Sequence, residues 1–215
     1  MCAQFDLRLS AAELLALLGL FVDSPALGPP GRRFPGQRIP LLRAPGHPAR
    51  AVEALWGIAA RPPGPDGRPA APAHNARAET VTSRPAFRAA WCAPPADVTC
   101  GRGVVPASAI VEWDPRGAAS VPVRLSLPDD APLLLAAVWV DGGAGPAAAI
   151  LTRAAGPVIS AFHHREPVVL EATDLEGWWA GGAAADALRG GARSPDWVAA
   201  RGAAPRQQSL FGPRG

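Results

Sequence analysis

Residues 109–152 read AIVEWDPRGAASVPVRLSLPDDAPLLLAAVWVDGGAGPAAAILT, and four strand-like runs fall inside them: Ala109 to Trp113, Val121 to Leu127, Leu133 to Val140 and Ala147 to Thr152. Each run is apolar or alternating and short enough for a strand, and the runs follow one another closely. Closely spaced strands pair most simply as antiparallel neighbours. The fold expected from this stretch is an α+β domain dominated by a curled, mainly antiparallel β-sheet.

Upstream, further strands are expected around Arg38 to Arg43 and at Ala51 to Trp56. Ser10 followed by Glu13 is a capping box, in which each side chain satisfies a free backbone donor of the other, and it opens an amphipathic helix from about Ala11 to Leu20. Pro85 to Trp91 reads as a short helix with proline tolerated in its first turn. Asp174 is placed to cap a helix carrying Leu175, Trp178 and Trp179, and another helix covers Ala183 to Leu188. Between these elements the chain is loop-rich: 26 prolines and 23 glycines fall among its 215 residues, and Arg61 to Ala73 alone holds five prolines and two glycines. We expect one domain with one core over residues 1–200 and a disordered tail over 201–215, where Gly, Ala, Pro and Arg follow without periodicity.

All 21 basic residues are arginine, against 18 acidic ones, for a net charge of +3. Arginine suits phosphate and base recognition through its planar fork, but an Ala-, Gly-, Pro- and Arg-rich composition also arises from a GC-rich genome. The three cysteines, at 2, 92 and 100, have no paired spacing, which points to a reducing cytoplasm rather than a disulfide framework. Cys92 and Cys100 are expected as packed thiols. Cys and His together lack zinc-site spacing, so no metal or other cofactor is expected. The stretch Leu14 to Val22 is broken by Gly19 and preceded by charge, which suits neither a secretory signal nor a membrane span.

Chemistry concentrates in four places. Removal of Met1 would leave Cys2 with a free α-amine and a thiol on adjacent carbons. Such a 1,2-aminothiol attacks an aldehyde first as an imine and then through sulfur, closing a five-membered thiazolidine. Its amine, with an unperturbed pKa of about 7.7–8.0, keeps a neutral fraction near physiological pH. In His74-Asn75-Ala76-Arg77-Ala78-Glu79-Thr80 an extended backbone would project Asn75, Arg77 and Glu79 from one face. Glu112, embedded in Ile110-Val111-Glu112-Trp113, is a candidate general acid/base because burial raises a carboxyl's pKa. His163 and His164 supply groups that titrate near neutrality. On a strand they would face opposite sides, so one of the two is expected in any given site.

Taken in order, Met1-Cys2 with Phe5, Trp56-Gly57, Asn75-Ala76-Arg77-Ala78-Glu79-Thr80, Ser83-Arg84 with Phe87, Pro106-Ala107 with Glu112-Trp113, Leu151-Thr152 and His163-x-Arg165-x-Pro167 resemble the SRAP family of SOS response-associated peptidases, or abasic-site processing proteins. The resemblance spans residues 1 to about 179. It implies a barrel-like antiparallel sheet with short helices, and a protein that cross-links abasic sites in single-stranded DNA through Cys2. In that reading Asn75 orients the terminus and the opened sugar, while Glu112 assists ring opening and proton transfer. His163 would stabilise the reacting sugar and help reverse the link. Arg77 and Arg165 would contact phosphate, with Arg84 and Arg61 as further DNA contacts. Peptidase activity with Cys2 as nucleophile, and a non-catalytic single-strand binding module, are the alternatives. A monomer in the cytoplasm, nucleoid-associated when bound to DNA and without a membrane partner, is expected.

The chain departs from the family pattern in five places. Ala3-Gln4 stands where Gly-Arg is usual, the aromatic wedge after Trp56-Gly57 is replaced by Arg61-Pro62-Pro63-Gly64, Ser108-Ala109 stands before Glu112 where Gly is usual, Glu166 replaces an apolar residue, and the C-terminal Ser-x-x-Val-Asn type segment is not evident. Weaker or redistributed DNA contacts follow, through Arg61 and Arg68. In the tail, Gln207-Gln208-Ser209-Leu210-Phe211 resembles the peptide by which bacterial repair proteins dock on the sliding clamp, with Leu210 and Phe211 filling a pocket and Gln207 and Ser209 at its rim.

Overall fold

The computed structural model describes residues 3–8, 13, 16, 29–44, 51–59, 70–116, 120–191 and 194–201. Within them lie strands β1 (Phe5–Leu7), β2 (Gly31–Arg33), β3 (Arg38–Leu42), β4 (Ala51–Trp56) and β5 (Asn75–Arg77), helix α1 (Pro85–Cys92), and strands β6 (Cys100–Ala107), β7 (Ala109–Asp114), β8 (Val121–Ser126), β9 (Leu133–Asp141) and β10 (Pro146–Ala154). Strands β11 (Arg165–Pro167) and β12 (Val169–Leu170), helices α2 (Leu175–Ala180) and α3 (Gly182–Gly191), and strand β13 (Val198–Arg201) complete the chain. The helix expected over residues 11–20 lies outside the described residues apart from Glu13 and Ala16, both helical. Arg61, Arg68, His47, Cys2 and the clamp-like peptide at 207–211 also lie outside them.

The strands close into a barrel. From β10 the pairing runs to β4, β3, β6 and β9 and returns to β10. All of these pairs are antiparallel except β10 with β4, and β5 also lies parallel to β10. A second sheet, in the order β13-β8-β7-β1-β2, is antiparallel throughout.

The unbroken apolar run of β9 is explained by burial on both faces. Leu134, Ala136 and Val138 enter a core shared with α1 and α2, where Trp91 and Trp178 meet edge to face at 5.5 Å. Leu133, Leu135, Ala137 and Trp139 enter a second core with Phe5, Ile110 and Leu125 of the other sheet. The period of two therefore distributes side chains between two cores where one was expected. Both cores share β9 and β10.

The strand β6 was hidden in the sequence by Gly101, Gly103 and Pro106. Gly103 is required by a close approach: a Cβ there would stand 2.6 Å from Leu41 Cδ1 and 3.0 Å from the Leu42 carbonyl oxygen, where β3 joins β6 through Leu42 and Val104. Next to it, buried Arg102 donates to the carbonyls of Trp91 and Ala93 at the end of α1, and to those of Trp178 and Trp179 in α2. One guanidinium thus satisfies carbonyls at the ends of both helices, which otherwise lack partners. Gly181, with φ of 80°, follows α2 where a Cβ would collide with that guanidinium at 2.4 Å. Asp174 acts differently from expectation: its carboxylate accepts from the backbone of Glu171 at 2.8 Å and caps the preceding 3-10 turn rather than α2.

Candidate active site

Glu112 is presented by β7. Alternation along the strand gives it the side shared with Ile110 and Asp114, all three buried, while Trp113 on the opposite side is 46% exposed. Burial pushes the Glu112 carboxyl above the usual carboxylate range, and cationic neighbours, His164 among them, pull the other way.

The start of the chain runs beside this strand. Phe5 pairs with Ile110 and Asp6 with Ala109, and the Val111 N–H donates to the Gln4 carbonyl at 3.0 Å. Ala3 therefore follows Gln4 toward the end of β7 that carries Glu112. Phe5 is held from the other side by Trp56, with ring centroids 5.1 Å apart. The Trp56 indole N–H donates to the His74 carbonyl at 2.8 Å, and its ring meets the His74 imidazole edge-on at 6.1 Å. Trp56 thus links the chain start to the residue that precedes Asn75. Burial lowers the His74 pKa and favours the neutral ring. Asn75 opens β5 opposite Ile150 of β10 and is half-buried, whereas Arg77 is exposed.

The third side is the turn that precedes β11. His163 and His164 do not lie on a strand, and their rings stack at 4.2 Å with 31° between planes. The expectation that they face opposite sides is overturned, because strand alternation does not apply within a turn. His163 Nδ1 lies 2.9 Å from the Arg165 backbone nitrogen and 3.1 Å from the Arg165 carbonyl oxygen, so the Arg165 backbone holds the ring by its Nδ1 edge. Burial first lowers the His163 pKa; that of His164 is lowered first by the charge of His163, with Arg165 and Arg77 contributing less. β7 thus runs beside the start of the chain, Trp56 links that start to His74, and the charge of His164 reaches Glu112.

Arg165 is engaged elsewhere. Both of its terminal nitrogens donate to Glu79 at 2.7 Å, and its side chain is only 11% exposed. The pair ties β11 to the turn after β5, and Glu79 sits in that turn rather than continuing the extended face of Asn75 and Arg77. Arg84 is exposed at the N-cap of α1. Cys92 is exposed, which corrects its reading as a packed thiol, whereas Cys100 is partly buried and packs against the first core. Sequence reasoning gave no site role to His74 or to the Trp56 hub, whose contacts join residues far apart in the chain. It also missed the partners of Glu166, which is buried against Arg153, Gly156 and Ser194.

Among the described residues no group of three or more His, Cys, Asp or Glu could hold a metal ion, and no helix is long and apolar enough to cross a membrane.

The profile of the SOS response associated peptidase (SRAP) family matches residues 1–195. A solved protein from Bordetella bronchiseptica is 27% identical, with a TM-score of 0.73 over 94% of this chain and 100% of that one. Two more share the fold at lower identity: a protein from Bacteroides thetaiotaomicron (19%, TM-score 0.71, covering 93% of this chain and 91% of that one) and a phage-related protein from Bordetella bronchiseptica (22%, TM-score 0.64, covering 93% of each). No curated protein matches the chain. With the family profile matched over nearly its whole length, the chain belongs to the SRAP family, which is associated with the SOS response to DNA damage.

Proposed function

We propose that the protein captures abasic sites in single-stranded DNA by a covalent thiazolidine at Cys2, after Met1 has been removed. The observation that carries this reading is the anchoring of Gln4 against Val111, one residue from Glu112 on the same strand. Consecutive Cα atoms lie 3.8 Å apart, and Cys2 precedes that anchor by only two residues in the sequence.

In the reaction, a ring-opened abasic deoxyribose offers an aldehyde. The α-amine adds to it and water leaves, giving an imine. The thiol sulfur then bonds to the same carbon while a proton passes to nitrogen, and the ring closes. Glu112, kept protonated to higher pH than an ordinary carboxyl, donates to the sugar oxygen as the furanose opens and accepts the proton back afterwards. Asn75 orients the terminus and the opened sugar. His163, whose pKa is lowered by burial, stabilises the reacting sugar and assists reversal. Arg77, exposed beside them, contacts phosphate, as does Arg84.

The test is to incubate protein confirmed by mass to lack Met1 with an abasic single-stranded oligonucleotide and look for a denaturant-resistant adduct. Cys2→Ala should abolish it, and Cys2→Ser should leave at most a labile imine. Cleavage of added peptides without DNA would favour the peptidase reading, which the family's description supports. Noncovalent binding with no adduct would favour a binding module.

A further inference from the structure

Asp114 closes β7 on the same side as Glu112, and its side chain is only 6% exposed. It collects two arginines. Arg116 donates to it from Nε at 2.8 Å, from a terminal nitrogen at 2.9 Å and from its backbone N–H at 3.0 Å, and Arg201 of β13 donates from a terminal nitrogen at 2.6 Å. These bonds, those of the Arg116 side chain first, hold the Asp114 carboxyl down to about 2.

One carboxylate neutralises one guanidinium, so the trio keeps a net positive charge. Both arginine side chains are open to solvent, at 53% and 64% exposure. Each guanidinium has five N–H donors, and the bonds to Asp114 leave several of them on each side chain free for another acceptor. Arg116 alone already reaches both oxygens of the buried carboxylate, so satisfying Asp114 does not account for the second, more exposed arginine.

Their position relative to the site is fixed by Phe162. The Arg116 guanidinium lies over the Phe162 ring, 5.2 Å from its centroid, and Phe162 directly precedes His163. The cluster therefore stands at the rim between the end of β7 and the histidine turn. The fork geometry of a pre-oriented arginine suits the paired oxygens of a phosphodiester.

We propose that Arg116 and Arg201, oriented by the buried Asp114 carboxylate, form a phosphodiester-binding rim that receives the DNA strand beside Glu112 and His163. This rests on the DNA reading above and adds a binding site to it. It also accounts for how the chain holds DNA with Ala3-Gln4 in place of a basic start and no aromatic wedge.

The test uses the full chain with Cys2→Ala, so that no covalent trapping occurs, and an undamaged oligo-dT titrated across a salt series. For single strands the logarithm of affinity falls with the logarithm of salt by about 0.7 per phosphate contact. Replacing both arginines by alanine should reduce that slope by about 1.4 and weaken low-salt binding roughly tenfold or more. The double lysine variant should keep most of the slope, and it remains informative if the alanine pair fails to fold. Arg8, 58% exposed and paired with Asp130 at the far end of β1, serves as control, and its alanine variant should leave the slope unchanged. An unchanged slope in a folded double alanine variant overturns the rim, as does a parent protein without salt-dependent binding. The lysine pair losing as much slope as the alanine pair would also overturn it. Failure of the abasic adduct with normal oligo-dT binding instead removes the Cys2 chemistry and leaves the rim to be judged by its slope.

Discussion

Replacing Glu166 by alanine should cost the fold far more than an average substitution, and the structure says how much. The carboxylate is 1% exposed; Oε1 accepts from Arg153 Nε at 3.0 Å, and Oε2 accepts from the Gly156 N–H and the Ser194 hydroxyl, each at 3.0 Å. Arg153 is itself only 13% exposed. Alanine would strand a buried guanidinium and two further donors, and breaking a buried ion pair from one side costs about 3–5 kcal/mol. In a domain of 150–250 residues each kcal/mol moves the melting temperature by about 2–4 °C, so a fall of roughly 6–20 °C is expected in a thermal melt. Glutamine should do less harm, about 1–3 kcal/mol, because its oxygen can still serve Arg153 while its amide meets the Gly156 N–H donor to donor. The same carboxylate fixes the loop that leads to His163, so adduct formation should also slow in the alanine variant well below its melting temperature. A shift under about 2 °C would refute the claim that this buried charge is held by these three contacts.

Glu112→Gln should slow adduct formation by about 10²–10⁴-fold if the carboxyl is the general acid/base, read from single-turnover gels across pH. Because its native pKa is raised, the folded protein holds that proton to higher pH than the unfolded chain. The associated stability is full below the unfolded value near 4.3 and is lost as pH rises through the native value, and denaturant titrations should show Glu112→Gln removing that decline. Arg102→Leu leaves four helix-end carbonyls without their donor and should lower the free energy of unfolding by at least about 3 kcal/mol in denaturant. Inserting one glycine between Ala3 and Gln4 should leave melting nearly unchanged but displace everything ahead of Gln4 by up to about 3.5 Å, lowering adduct yield at least tenfold. On the proposal that the tail peptide docks on the sliding clamp, the intact chain should be retained by purified clamp in a pull-down and the chain lacking residues 207–211 should not, with adduct formation unchanged.

The barrel strands were legible where burial imposes a pattern. β9 and β10 read clearly because both of their faces are covered, and β7 and β8 because their apolar residues recur at short range. β6 escaped because the property that makes it a strand, a close approach to β3, demands glycine, and glycine reads as a turn. β1 and β2, three residues each, are too short for any period to show. The site divides in the same way. Asn75, Glu112 and His163 carried recognisable local motifs, whereas the features that organise them join distant positions: Trp56 to His74, Glu79 to Arg165 across 86 residues, and Asp114 to Arg201 across 87. Glu166 looked like a departure in sequence because its hydroxyl partner Ser194 lies 28 residues further on.

The placement of the described chain start, Ala3 to Leu7, follows from a register choice made inside the core. A slip of one residue between β1 and β7 would turn Phe5 and Leu7, both buried, toward the side now occupied by Asp6. Phe5 would also leave Trp56, and Asp6 would be driven into the apolar core that Phe5 now fills. Burying that carboxylate without a partner costs several kcal/mol, which is ample to exclude the slipped state. With the register settled, Gln4 meets Val111 and Ala3 runs on toward Glu112, without any contact from the reacting groups themselves. An internal cysteine could share the core position of Phe5 but would lack an amine. A longer leader would keep the amine but could carry it away from Glu112. In the proposed reaction, the short sequence interval between Cys2 and a core aromatic therefore couples the stability of the fold to the aim of the chemistry.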